Sequence, residues 1–191
     1  MKSIFRFMVA VVAVVFMQAP FTGTAEASRV AVVPFQADEA HVERAGDFNG
    51  YYWDIMVEKF QYPEYELMDD DKVMSVVPEE GLKAFDKETL MNIVDKTDAE
   101  IVVAMRLDEV TEKPMHFRRE PTLETFMKGV FAGYNRLTGK YYIRKIYEKG
   151  EIEEVLTLRN DWQQQVFASE LERCLYRFLE EKKTKKIKKA K

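Results

Sequence analysis

Uninterrupted apolar runs and apolar residues at helical steps divide the chain into predictable elements. Val30 to Phe35 is a continuous β-branched and apolar run that meets Pro34 and then the polar stretch QADEA. A short run of this kind reads as a strand buried on both faces. Ala45, Phe48, Tyr52, Ile55, Met56 and Phe60 then recur at three- and four-residue steps, which predicts a helix from about Glu39 to Phe60 with Pro63 as its stop. Tyr65 to Met68 reads as a second strand. It runs into Asp69-Asp70-Asp71 and a short, aspartate-capped helix carrying Val73, Met74, Val76 and Val77. Asp86 caps a further helix with Glu88 in its first turn and Leu90, Ile93 and Val94 facing inward. After the turn Lys96-Thr97-Asp98, Ile101 to Leu107 (IVVAMRL) is a third apolar strand.

Strand, helix, strand, helix, strand predicts a sheet with helices packed on it. The second half differs. Residues 123–135 and 140–158 carry strand-like runs separated by NRLTGK and EKGE, each with the glycine expected of a hairpin loop. A last helix begins at Asp161, with Trp162, Val166, Leu171, Leu175, Phe178 and Leu179 as its apolar side. The expected fold class is therefore α/β, a mixed sheet with an amino-terminal β-α-β-α-β unit, hairpin strands after it and a carboxy-terminal helix. No repeat or interdomain linker breaks it.

Two ends fall outside this pattern. Lys2 and Arg6 precede eleven unbroken apolar residues, Phe7 to Met17, followed by a short tail that closes on Ala25-Glu26-Ala27. That layout is a secretory signal peptide over residues 1–27, cleaved after Ala27. The apolar run is too short for a spanning helix, which needs about 20 residues. Residues 28–181 are then expected to form one α/β domain, exported to the periplasm or the medium. Residues 182–191, KKTKKIKKAK, hold Lys182, Lys183, Lys185, Lys186, Lys188, Lys189 and Lys191. This tail lacks apolar periodicity and is too charged to pack. It is expected to be disordered or a frayed helix end, serving as a solubilising tail or as a contact with anionic membrane or wall polymer.

Charge sharpens the contrast. The chain carries −4 overall; the first 27 residues contribute +1 and the last ten +7, which leaves −12 on residues 28–181. An acidic body excludes a nucleic-acid-binding domain by composition. Cys174 is the one cysteine, so no intramolecular disulfide forms, and no lipid-attachment cysteine follows the apolar run. On the last helix it shares a side with Leu171, Leu175 and Phe178, where a thiol acts as a small hydrophobe; a disulfide between two copies is the sharper alternative.

No catalytic set assembles from these residues. His41 and His116, the two histidines, lack neighbouring ligands at metal spacing, and no cofactor is implied. GYNRLTGK (133–140) has five residues between its glycines, and Tyr141 stands where a phosphate-binding loop needs Ser or Thr. It reads as a hairpin loop. Asp69, Asp70 and Asp71 end a strand and cap a helix; in the alternative reading they mark a ligand site at the strand ends. Tyr51 and Trp53 face partly outward, beside Asn49-Gly50, and are candidate partner contacts.

The order RVAVVPF, long helix, YELMDDDKV, DKETLMNIVDKTDAE, IVVAMRLDEV resembles the TolB amino-terminal/CsgG-like group of exported bacterial envelope proteins. The matching features are the strand Val30 to Phe35, the strand ending at Asp69 to Asp71, and the helix leading through Asp98-Ala99-Glu100 into Ile101 to Leu107. LTGKYY (137–142) is similar to the T-G-K hairpin of such domains. The resemblance covers residues 30–110 and, more loosely, 123–158. It implies an envelope location, work by protein contact and no catalytic residues. Without a lipid-attachment cysteine it does not extend to the lipoprotein branch, and without a propeller it does not make the chain a TolB. The expected function is a non-catalytic envelope or secreted module that binds a protein or envelope polymer. The alternative is a small exported enzyme or ligand-binding protein.

Overall fold

The computed structural model describes residues 27–115, 122–153 and 162–180. Residues 1–26, His116 and the tail lysines lie outside them. The element order is β1 (Ser28–Val32), β2 (Gln36–Ala37), α1 (Ala45–Lys59), β3 (Tyr65–Leu67), α2 (Asp70–Met74), α3 (Lys87–Thr97), β4 (Ile101–Met115), β5 (Thr122–Asn135), β6 (Lys140–Glu153) and α4 (Trp162–Leu179). They form a mixed α/β fold. The sheet order is β3-β1-β4-β5-β6, with β2 beside β4. β1 pairs in parallel with β3 and β4, whereas β4, β5 and β6 are antiparallel.

Helices cover both faces of the inner sheet, which is why its strands read as continuous apolar runs. Along β4, Ile101, Val103, Met105 and Leu107 point to one face, where α1 brings Phe48, Tyr52 and Met56 and α4 brings Phe167, Leu171 and Leu175. Val102 and Ala104 point to the other face, against Leu90, Ile93 and Val94 of α3 with Val73, Leu82 and Phe85. Polar groups at helix ends are satisfied locally: the Asp86 carboxylate accepts from Thr89 N at 2.8 Å, and Asp69 accepts from Asp71 N at 3.0 Å.

Four sequence expectations move. The first strand stops at Val32, because Pro34 has no N–H to give the ladder; pairing to the same edge of β4 resumes at β2. The first helix starts at Ala45, six residues later than its periodicity suggests. The intervening chain instead bridges Val42 to Val110, and Val110 N donates to His41 O at 2.9 Å. β4 continues to Met115 through polar residues that pair with β5, beyond the apolar run that announced it. EKGE is not a loop. Lys149 and Gly150 pair with Phe126 and Thr125 inside β6, and a Cβ on Gly150 would overlap the Trp162 ring. That glycine serves close packing, whereas the NRLTGK turn between Asn135 and Lys140 is a hairpin as expected.

Candidate binding crevice

The chain leaves β1 for α1 on one face of the sheet and leaves β3 for α2 and α3 on the other. Neighbouring parallel strands whose connections diverge in this way open a crevice beyond their carboxyl ends. Here it measures about 620 Å³. Phe35, Ala37, Trp53, Met74 and Val77 supply its apolar walls, and Glu39, Asp70, Glu79 and Glu80 its charges; among the described residues no Lys, Arg or His lines it. Glu39, Asp70 and Glu79 form no ion pair among the described residues, while Glu80 meets the exposed Lys83 at 3.5 Å.

Two side chains fix the crevice walls. Gln36 packs flat on Gly81, where a Cβ would lie 2.7 Å from the Gln36 Cδ; Gly81 also has φ +82°, so a side chain there is excluded on both counts. The Gln36 Nε2 is buried and without a hydrogen-bond partner. Phe35 leans on Phe167 of α4 edge-on, with ring centroids 5.7 Å apart, and on Tyr52 at 5.6 Å. The Tyr52 hydroxyl donates to Val33 O at 2.8 Å, and burial pushes its pKa far above the usual phenol range.

The outer face of α1 forms one border of the crevice. At 3.6 residues per turn, Gly46, Gly50, Trp53 and Val57 fall in one stripe. Nothing lies within 4 Å of a Cβ built on Gly46 or Gly50, so the stripe faces open space. It is uncharged from end to end, where an exposed helix face ordinarily carries charge. On its far side a second hollow of about 430 Å³ is lined by Arg44, Asp47, Tyr51, Asp54 and Gln164. Arg44 pairs with Asp47. Gln164 is 2% exposed, with its Oε1 unpartnered.

The expected site residues separate accordingly. Trp53 is half-buried in the crevice; Tyr51, 40% exposed, lines the second hollow. Residues two apart on a helix do not share a face. Of the three aspartates only Asp70 reaches the crevice, since Asp69 caps α2 with Asp71 as its donor. Among the described residues no three His, Cys, Asp or Glu side chains cluster as metal ligands. His41 is exposed and meets Asp38 at 2.9 Å, which holds the Asp38 carboxyl below its usual range. Cys174 is fully buried, and desolvation raises its thiol to about 11, so neither a nucleophile nor a disulfide between folded copies fits it. Sequence reading missed Phe35, Gln36, Glu39, Asn49 and Glu79. They come from three separated segments, and the Gly81 turn in PEEG was the one local sign that a backbone was being drawn close.

This set of groups can hold a cation with an apolar body. Carboxylates attract the charge, aromatic faces add to it, and the amides of Gln36 and Asn49 offer hydrogen bonds. Among the described residues the crevice walls include no imidazole, thiol or cationic group to activate a nucleophile.

No protein-family model matches the chain, and no curated protein matches it either. Solved structures do. The chain is similar to the hypothetical protein CT253 from Chlamydia trachomatis at 13% identity and a TM-score of 0.43, over 80% of this chain and 97% of that one. It is similar to lipoprotein GNA1162 from Neisseria meningitidis at 10% identity and a TM-score of 0.42, over 78% and 99%. The LpoB C-terminal domain from Salmonella enterica follows at 12% identity and a TM-score of 0.35, over 70% and 87%. Among the described residues no helix is long and apolar enough to cross a membrane.

Proposed function

We propose that the chain is an exported, non-catalytic module of the cell envelope or the medium, and that it binds a protein or envelope-polymer partner through the outer face of α1 and the crevice beside it. The observation that carries this reading is the uncharged stripe Gly46, Gly50, Trp53 and Val57, lying open next to apolar walls. An aromatic anchor beside a pocket is the usual centre of an interface, and the glycines let a partner backbone come close. Export rests on the signal-like residues 1–27, and the envelope setting on the resemblance to the TolB amino-terminal/CsgG-like group. In this reading residues 28–181 are one domain and Tyr51 widens the contact.

Crevice volume supports a second reading. At about 620 Å³ it falls within the usual size of small-molecule sites, roughly 300–1,000 Å³, and Asp70 enters it. A small ligand would then occupy the strand ends.

Gly50→Arg tests the first reading without disturbing the core, because the added side chain meets open space. Residues 28–191, wild type and variant, carry a photo-crosslinker at Val57 in the envelope of the source cell. The proposal expects one discrete crosslinked species, lost in Gly50→Arg while the circular dichroism is unchanged. Equal crosslinking by both proteins refutes it.

A further inference from the structure

The described chain ends at Glu180, and the lysine-rich residues 182–191 follow it in sequence. Tyr176 and Leu179 of α4, with Glu180 just after it, border a hollow with Lys59, Glu64 and Tyr65, so α4 ends beside the end of α1. At the other end, Gln164 borders Gly46 and Gly50. The two helices therefore run side by side in the same direction. α1 has 15 residues, a rise of about 22 Å, and the chain after Glu180 can extend about 36 Å over residues 181–191. The whole outer face of α1 is within its reach.

That face suits the tail chemically. Asp47, Asp54 and Glu58 follow one side of the uncharged stripe, and Glu39, Asp70 and Glu79 follow the crevice side. Arg44 answers Asp47, but Asp54, Glu58 and the three crevice carboxylates form no ion pair among the described residues. The tail brings seven lysines and one large apolar residue, Ile187.

We propose that residues 182–191 fold back along the outer face of α1 of the same chain, with Ile187 against Trp53 and the gap over Gly50 and the lysines along the two acidic margins. The glycines let an extended backbone lie close to the helix, and Trp53 gives Ile187 an apolar seat. The tail is then an internal occupant of the binding surface, which an outside partner has to displace. This inference rests on the binding surface proposed above.

Ala190→Cys in residues 28–191 gives one reactive cysteine for a spin label, because Cys174 is buried with its thiol raised. The label is expected to broaden the Gly46 and Gly50 amides and the Trp53 indole resonance. Tyr147, exposed on the opposite face of the sheet, is expected to stay sharp. Broadening disappears between 0.1 M and 1 M salt, as the Debye length falls from about 10 Å to about 3 Å. It is also lost in Asp54→Lys/Glu58→Lys, at two exposed positions, and weakened in Ile187→Asp. Uniform broadening over the surface, insensitivity to the charge reversal, or dependence on protein concentration, which signals a neighbouring copy's tail, overturns the proposal. The two readings fail separately. If Gly50→Arg abolishes the crosslink while the label leaves α1 untouched, the surface stands and the tail is not its occupant. If the label marks α1 while Gly50→Arg leaves the crosslink unchanged, the tail keeps its place and the partner binds elsewhere.

Discussion

Phe167→Ala tests the core where it supports the crevice. Phe167 is fully buried and edge-on to Phe48 at 5.3 Å and Phe35 at 5.7 Å, so it ties α4 to α1 and holds the crevice wall. Burial of a phenyl group contributes about 1.5–3 kcal/mol, and the cavity left by truncation brings Phe→Ala to about 3–5 kcal/mol. Two lost edge contacts place Phe167 in the upper half, at about 4 kcal/mol. With a urea m-value of about 2 kcal/mol/M, the unfolding midpoint falls by about 2 M. Val166→Ala is the control. Val166 is only half-buried, and its truncation is expected to cost less than about 1.5 kcal/mol. Urea unfolding followed by circular dichroism and tryptophan fluorescence measures both. A Val166→Ala cost equal to that of Phe167→Ala, or a Phe167→Ala cost below about 1 kcal/mol, refutes this rotational setting of α4 and its support of Phe35.

Other outcomes follow from single contacts. Gly150→Ala forces a methyl group into the Trp162 ring and is expected to cost about 1–3 kcal/mol in thermal unfolding, a loss that Trp162→Leu reduces by making room. Asp98 is held below its ordinary carboxyl pKa chiefly by the hydrogen bond from Arg29 at 2.7 Å. A carboxyl depressed in the folded state contributes above the unfolded pKa and loses that contribution as pH falls through the folded one. Asp98→Asn is therefore less stable than wild type at neutral pH, and the two converge as the pH drops below 3.8. Cys174, with its thiol raised to about 11, is expected to resist iodoacetamide at pH 8 and to react once urea unfolds the chain; reaction of the folded protein counts against its burial.

The amino-terminal unit was legible because strands buried on both faces spell themselves as unbroken apolar runs, and Asp69 and Asp86 announced their helices by capping chemistry. The hairpin at NRLTGK was legible for the same local reason. EKGE misled because a glycine needed for a tryptophan ring is indistinguishable, in one dimension, from a glycine needed for a turn. On α4 Leu171, Leu175 and Phe178 face inward as expected, but nearer its start the buried residue is Phe167 rather than Val166, a choice that an apolar pair side by side leaves open. Glu39 to Arg44 read as helix because their periodicity continued that of α1, and only pairing with β4, far along the sequence, holds them off it. The crevice was illegible for a related reason. Asp70 and Trp53 were named, but what joins them is the divergence of two crossovers, which no local spacing records.

β1 lies between β3 and β4, yet the ribosome makes it before either. Val30 pairs with Ile101, 71 positions further on, and with Leu67 on its other side. The strand therefore has no ladder to join until β3 has been made and no second one until β4, whereas β5 and β6 close on each other across one short turn. Contact order separates the two: the hairpin is local and quick, and the opening strand waits for partners far along the chain. Until then RVAVV is a bare adhesive segment at the front of a growing polypeptide, the kind of segment that makes nascent chains rely on chaperones.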